Sequence, residues 1–452
     1  MITAFSVSFL LLFAILLLSP RRPLNFRGSS AAEVYESKGS RHFVSRKETD
    51  NPVKEKWSIV IDAGSTGSRI HVFKFKVDEK QNLVLVDDKF EQLKPGLSAY
   101  SEDPDAAASS LKPLLEVAMS SIPKSFQSST SIMVGATAGL RLLPDGKADL
   151  ILEKVRSFLG SFPFKLGSDD VRILSGVDEG AYSWLTLNYL LGKLGLPYSE
   201  TVAAIDLGGG SVQEAYALGP NEAADAPKSD YIKVLNGGGR QYDVYVHSYL
   251  GYGLMAARAA ILEEDLNGPE DESHPCVHGG FIGLYEYGGR TFPATAHSDG
   301  AEHEKCIETV ASALKQEQSC GAPVKQCSFG GAWAGPRIPS VFYVSSYFWD
   351  RAADAGLVDD DVASQAVLKP QYFEEVAKKA CPLRMDELKN VFPRVVETHR
   401  PYFCLDLTYA HTLLVNGFKI PNHKEIVLVK RVEYEGRLVE AAWPLGAAIN
   451  TL

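Results

Sequence analysis

The stretch Asp62-Ala63-Gly64-Ser65-Thr66-Gly67-Ser68-Arg69 follows an apolar run, Ser58-Ile59-Val60-Ile61, and precedes an alternating one, RIHVFKF at 69–75. A short apolar run bounded by turn residues reads as a buried strand, and period-2 alternation reads as a second strand. Gly64 and Gly67 permit tight backbone angles that a side chain would forbid. The loop is therefore expected at the tip of a β-hairpin, not at the mouth of a helix. It holds no lysine, so it is not a GxxxxGK[ST] loop. Consecutive backbone N–H groups with Ser and Thr hydroxyls can still cradle phosphate oxygens. Asp62 would repel a phosphate unless a hard divalent cation, keeping several waters, lay between them.

The same plan returns at 203–218, AAIDLGGGSVQEAYAL, where Asp206 ends an apolar run and Gly208, Gly209, Gly210 and Ser211 form the turn. One such loop is a plain Gly/Ser turn as readily as a binding site. Two of them suggest an internal repeat, with two related domains facing one another. Two hairpins gripping one polyphosphate and one metal would account for the duplication. Between them, SIMVGATAGLRLL (131–143) reads as a strand and a loop carrying Thr137 and Arg141. VRILSGVDEGAYSWLTLNYLLG (171–192) reads as a strand, a turn and a helix starting near Asp178. Its residues Ala181, Trp184, Leu185, Leu187, Leu190 and Leu191 follow helical spacing. Glu179 falls in the first turn, where an acidic residue also suits the helix dipole.

At 452 residues the chain is too long for one simple core, so two domains are expected. The net charge of -10 argues against a nucleic-acid partner, which needs a basic face. All six cysteines lie in the second half, at 276, 306, 320, 327, 381 and 404, with no CxxC pair. An even set without zinc spacing suggests disulfides in an oxidising compartment. Fifteen connectivities are possible, and the sequential one is taken as the expectation. The uncharged segment Ile2 to Ser19 would span roughly 27 Å as a helix, enough for a bilayer. Residues 1–22 are read as a signal anchor or a signal peptide, and 23–56 as a flexible stalk. Arg21 and Arg22 would leave the body cytoplasmic by the positive-inside rule, whereas the cysteines point to the lumen or exterior. We follow the cysteines: Golgi lumen as a single-pass membrane protein, or extracellular.

The set DAGSTGSR, GATAGLR, GVDEGAYSWLTLNY, DLGGGSVQ, FGGAW and AAWPLG comes in the order and approximate spacing of the apyrase conserved regions. The chain resembles the plant apyrases, nucleoside triphosphate diphosphohydrolases of the GDA1/CD39 family, over roughly residues 57–449. VYVHSYLGYG (244–253) and CLDLTYAHTLL (404–414) add to the likeness. The resemblance implies a two-domain α/β fold of the actin/Hsp70/sugar-kinase (ribonuclease H-like) type, with the active site in an interdomain cleft. The first domain is expected at 57–175 plus 430–452, and the second, with the disulfides, at 176–429. Glu179 matches the general base, and Ser211 and Gln213 match residues holding the attacking water. Ser65, Thr66, Gly67, Ser68, Gly208, Gly209 and Gly210 match the phosphate-binding loops. Asp62 and Asp206, with Thr137 and Trp443 nearby, match the shell of a divalent metal, Ca²⁺ or Mg²⁺, held mostly through water. The implied substrates are nucleoside tri- and diphosphates such as ATP, ADP, UDP and GDP, and the expected state is a monomer.

The family stacks the base between aromatic rings, for which Tyr347, Phe348 and Tyr409 are the candidates here. Stacking tolerates any base, since each has a π face. One departure stands out: where relatives tend to read FGGVWNGGGG, this chain has Phe329-Gly330-Gly331-Ala332-Trp333-Ala334-Gly335-Pro336-Arg337. Pro336 and Arg337 would stiffen and charge a loop expected to move near the cleft. The pair His274 and His278, in HPCVH, is read as part of a solvated loop. Two other readings remain at this stage: an exopolyphosphatase-type hydrolase, and a nucleotide-binding sensor without useful turnover.

Overall fold

A computed structural model describes residues 54–452 apart from 65, 80, 144–145, 228, 265–272 and 322–325. The apolar segment Ile2 to Ser19 and the stalk up to residue 53 lie outside the described residues. Among the described residues no helix is long and apolar enough to cross a membrane.

The first hairpin forms as expected. Strand β1 (Glu55–Ala63) pairs antiparallel with β2 (Ser68–Val77), Asp62 facing Arg69 and Ala63 facing Ser68. Adding β3 (Leu83–Leu93), β4 (Ser131–Ala136) and β5 (Val171–Ile173) gives a five-stranded sheet in the order β3-β2-β1-β4-β5. The second hairpin is β6 (Ala203–Leu207) with β7 (Ser211–Ala217). With β8 (Ile232–Gly237), β9 (Arg240–Leu250), β10 (Phe342–Ser346), β11 (Gln365–Leu368) and β12 (Ile426–Val429) it builds a seven-stranded sheet, β11-β12-β10-β6-β7-β9-β8. The run β3-β2-β1-β4-β5 has two antiparallel pairings followed by two parallel ones. The run β9-β7-β6-β10-β12 has the same sequence of pairings. The repeat read from two loops therefore extends to whole half-sheets.

Strand alternation sorts side chains between cores. Ile59, Ile61 and Ala63 face one core of the small sheet, with Leu114, Ile151 and Val155 from its covering helices. Val60, Phe73 and Phe75 face the opposite way and join Ala204, Ala215 and Val246 of the large sheet in a shared core. Two helices fill that shared layer: the central helix Gly176–Leu190 and the helix Trp443–Thr451. They meet at backbone distance. A Cβ on Gly446 would lie 2.1 Å from the Tyr182 carbonyl oxygen, and the Gly446 N–H donates to Thr186 Oγ1 at 2.8 Å.

The central helix begins at Gly176, two residues before the expected start. Ser175 is its N-cap, its Oγ accepting from the Asp178 N–H at 3.0 Å. A capping hydroxyl satisfies a donor that the helix cannot. Asp178 is thus free to pair with Lys233 Nζ at 2.6 Å.

The disulfides are Cys276–Cys306, Cys320–Cys327 and Cys381–Cys404, the sequential pairing. His274 and His278 do not sit in a solvated loop. His278 is fully buried, with Nδ1 against the Leu383 carbonyl at 2.8 Å and Nε2 accepting from the Cys404 N–H at 3.0 Å. His274 Nε2 meets the Ile261 carbonyl at 2.9 Å. Burial holds both imidazoles down to about 4, so both stay neutral; His278 ties its segment to the Cys381–Cys404 bridge, and His274 ties it to Ile261.

Candidate active site

The two hairpin tips open on one cleft of about 260 Å³. Asp62, Thr66, Thr137, Glu179, Asp206, Gly208, Gly209, Gly210, Ser211, Tyr347 and Trp443 all line it. Asp62 and Asp206 each stand near the end of an apolar run, Ile59-Val60-Ile61 and Ala203-Ala204-Ile205, where the strand meets its hairpin tip. The second tip is braced from behind. The N–H groups of Met255 and Ala256 donate to the Gly209 carbonyl at 2.9 and 3.0 Å, and a Cβ on Gly253 would lie 2.3 Å from Ser211 N. In the first tip the Gly64 N–H donates to the Gly67 carbonyl at 3.0 Å, while a Cβ on Gly67 would press on Leu93 O at 2.7 Å. Ser65 lies outside the described residues. Ser68 is buried behind the tip and does not line the cleft.

Glu179 is the best placed reactive group. Arg141 Nη2 contacts its Oε2, and Gln213 Nε2 approaches the same oxygen at 3.4 Å. Gln213 also donates to Ser211 Oγ at 2.7 Å and to Ser248 Oγ at 3.0 Å. Burial raises the Glu179 carboxyl to about 7; Arg141 opposes the rise, while Asp206 and Asp62 add to it. The helix dipole, which would lower it, does not decide the outcome.

Asp206 Oδ1 accepts from Ser346 Oγ at 2.5 Å and from Ser345 Oγ at 3.2 Å, and Oδ2 from Ser183 Oγ at 3.4 Å. Asp62 Oδ2 pairs with Arg69 Nη1 at 3.2 Å, but among the described residues its buried Oδ1 has no partner. Burial raises both carboxyls above their usual range, against Arg69 and His71 at Asp62 and against the serine hydroxyls at Asp206. Trp443 reaches the site because Gly135, which faces Asp62 across the parallel β1–β4 pair, has no side chain. A Cβ there would lie 2.6 Å from the indole Cη2.

Two aromatic expectations fail. Phe348 is fully buried and packs against Phe373, with ring centroids 6.3 Å apart. Tyr409 is 1% exposed, and its OH donates to the Tyr252 carbonyl at 2.5 Å. Neither ring can stack a base from the core, which leaves Tyr347 at the cleft, with Trp349 beside it. The 329–337 loop also lies elsewhere. Arg337 pairs with Glu222 at 3.0 Å, donates to the Ala217 carbonyl at 2.9 Å and sits 5.3 Å over the Tyr216 ring. It fastens the back of the large sheet instead of charging the cleft.

The sequence reading missed His71, Ser345, Ser346, Asp350, Lys430 and Glu440 as cleft residues. His71 was within reach of period-2 reasoning, since 69, 71 and 73 share the face of Asp62. The serines were not, because the placing of Ser345 opposite Asp206 and Ser346 opposite Leu207 depends on a pairing between distant strands.

A family model described as GDA1/CD39 (nucleoside phosphatase) matches residues 48–452. The chain belongs to the GDA1/CD39 family. Among its relatives is Apyrase 1 of Arabidopsis thaliana, 46% identical over 407 residues that cover 88% of this chain and 85% of that one. Another is the nucleoside-triphosphatase of Pisum sativum, 42% identical and covering 88% of each. A solved nucleoside triphosphate hydrolase structure from Neospora caninum superposes with a TM-score of 0.63 at 14% identity, covering 88% of this chain and 92% of that one. That likeness identifies the two-domain actin-like α/β fold of the GDA1/CD39 chain.

Proposed function

We propose that this GDA1/CD39 member is an apyrase, hydrolysing the terminal phosphate of nucleoside tri- and diphosphates, NTP to NDP to NMP. The observation that carries the reading is Glu179: a buried carboxyl near 7, set between two amide-rich tips and touching Gln213. Phosphoanhydride hydrolysis needs a water aligned on the terminal phosphorus and donors for the charge spreading over its oxygens. Thr66, with Gly208, Gly209 and Gly210, supplies donors, and Ser65 and Gly67 belong to the same first tip. Ser211 and Gln213 hold the water, with Thr137 on the facing loop. Glu179 takes its proton, and a base titrating near the working pH is the most effective. Tyr347 receives the base face.

The donor set fits a divalent cation, Ca²⁺ or Mg²⁺. Asp62 has a buried oxygen with no partner among the described residues, and burial raises the Asp62 and Asp206 carboxyls in one cleft. Among the described residues no cluster of three or more His, Cys, Asp or Glu could hold an ion directly, which suits an ion that keeps most of its waters. Asp62 and Asp206 would hold it, near Thr137 and Trp443, and when bound it would neutralise phosphate charge.

We assign 57–175 with 430–452 to the first domain and 176–429 to the second. The disulfides favour an oxidising compartment, so we place the body, as a monomer, in the Golgi lumen or outside the cell, with 1–22 as anchor or signal.

The test is phosphate release from ATP, ADP, UDP, GDP, AMP and polyphosphate with Mg²⁺ or Ca²⁺, alongside Glu179→Gln. We expect release from tri- and diphosphates but not AMP. Glu179→Gln should lose at least ~10²-fold in turnover, the size of a general-base contribution, and keep nucleotide binding. Release from polyphosphate alone, or near-normal turnover in the variant, would sink the reading.

A further inference from the structure

Strand β7 has two faces. Gln213 looks toward the cleft, while Glu214 looks the other way, onto a second cavity of about 380 Å³. That volume falls in the range of small-molecule sites. Ser328, Pro336, Pro339 and Phe418 line it, and Lys419 stands exposed at its rim. Glu214 is 5% exposed, and among the described residues no hydrogen bond or ion pair reaches its carboxyl. Arg337, the nearby cation, is committed to Glu222 and to the Ala217 carbonyl. His247, directly opposite on β9, is kept neutral by burial, and Tyr216, Tyr245 and Tyr249 on the same side stay protonated. A buried carboxyl without a partner costs stability, and protein interiors seldom leave one so. Here it opens onto space large enough for a partner that the described residues do not supply.

We propose that this cavity is a binding site for a small molecule headed by an ammonium or amidinium group, received by Glu214 at the floor while an apolar body lies against Pro336, Pro339 and Phe418. The rim charge of Lys419 is exposed and screened by solvent. The site lies behind the strand that carries Ser211 and Gln213, and it is separate from the phosphate cleft.

Benzamidine, a planar amidinium on a small ring, is the probe. Titration calorimetry on the full chain would be run at pH 6, 7 and 8 in two buffers of different ionisation enthalpy. Burial holds the Glu214 carboxyl up at about 8, so the proton must leave as the cation enters. The expected result is release of about one proton per benzamidine at pH 7, and affinity rising about tenfold per pH unit below 8. Glu214→Gln should abolish both, and Asp62→Asn should leave both intact. No binding, binding without proton release, or binding that survives Glu214→Gln would overturn the proposal. Loss of binding in Asp62→Asn would overturn it too, because the probe would then sit in the acidic phosphate cleft. If Glu214→Gln fails to fold, Glu214→Met takes its place, and proton release by the unaltered chain still decides.

Discussion

Replacing Arg141 by Met should move the acid limb of the pH–rate profile without abolishing activity at high pH. Arg141 touches the Glu179 carboxylate and is the one positive charge among the main influences on it. A neighbouring guanidinium lowers a carboxyl by about 1–3 units, so its removal should lift Glu179 from about 7 to about 8 or beyond. Only the ionised base can accept a proton. The ionised fraction at pH 7 should fall from about a half to about a tenth or less, and kcat/KM should fall roughly fivefold or more with it. The loss should shrink as pH rises through the shifted value. The assay is phosphate release from ATP between pH 5.5 and 9.5 at limiting substrate, which reports the free enzyme. A limb that stays in place, or a loss equal at every pH, would refute the reasoning and make Arg141 a direct phosphate ligand.

Three further outcomes are expected. Glu214 has a folded value raised from 4.5 to about 8, so native stability should fall as pH rises through that window. Glu214→Gln should escape this loss, and its melting temperature relative to the unaltered chain should climb by several degrees between pH 5 and pH 9 in calorimetry. Gly135→Ala would drive a Cβ to 2.6 Å from Trp443, and such overpacking costs about 1–3 kcal/mol. Denaturant unfolding should show the loss, turnover should drop with it, and unchanged values would mean the indole is free to move. Removing the Cys381–Cys404 bridge, which spans 23 residues, should destabilise by about 1 kcal/mol more than removing Cys320–Cys327, which spans 7, on loop entropy alone. Denaturant midpoints of the two double-alanine variants check the order.

Local patterns were legible where a few neighbouring residues decide the outcome. Asp62 to Arg69 could only be a hairpin tip, because Gly64 and Gly67 interrupt two strand-like runs. The start of the central helix slipped by two residues because Ser175 competes with Asp178 for the cap and wins. Tyr347 and Phe348 show where local reading stops. They are adjacent at a strand-to-helix junction, and Ser346 there takes a φ of 60°. That turn fixes the helix phase, sending Phe348 into the core and Tyr347 to the cleft. Nothing in the order of aromatic letters carries the phase. His278 was misread for a related reason: its partners, Leu383 and Cys404, are remote in sequence.

The helix Trp443–Thr451 lies between strands that leave the ribosome long before it does. During synthesis the β1–β2 hairpin emerges early, with Val60, Phe73 and Phe75 facing a layer whose second helix has yet to be translated. Their layer is complete only when 443–451 has been made and Gly446 docks on Tyr182. The order of synthesis therefore leaves the cleft without its Trp443 wall until 443–451 has been made, and a nascent chain stalled short of Trp443 has both aspartates but lacks the indole that lines the cleft with them.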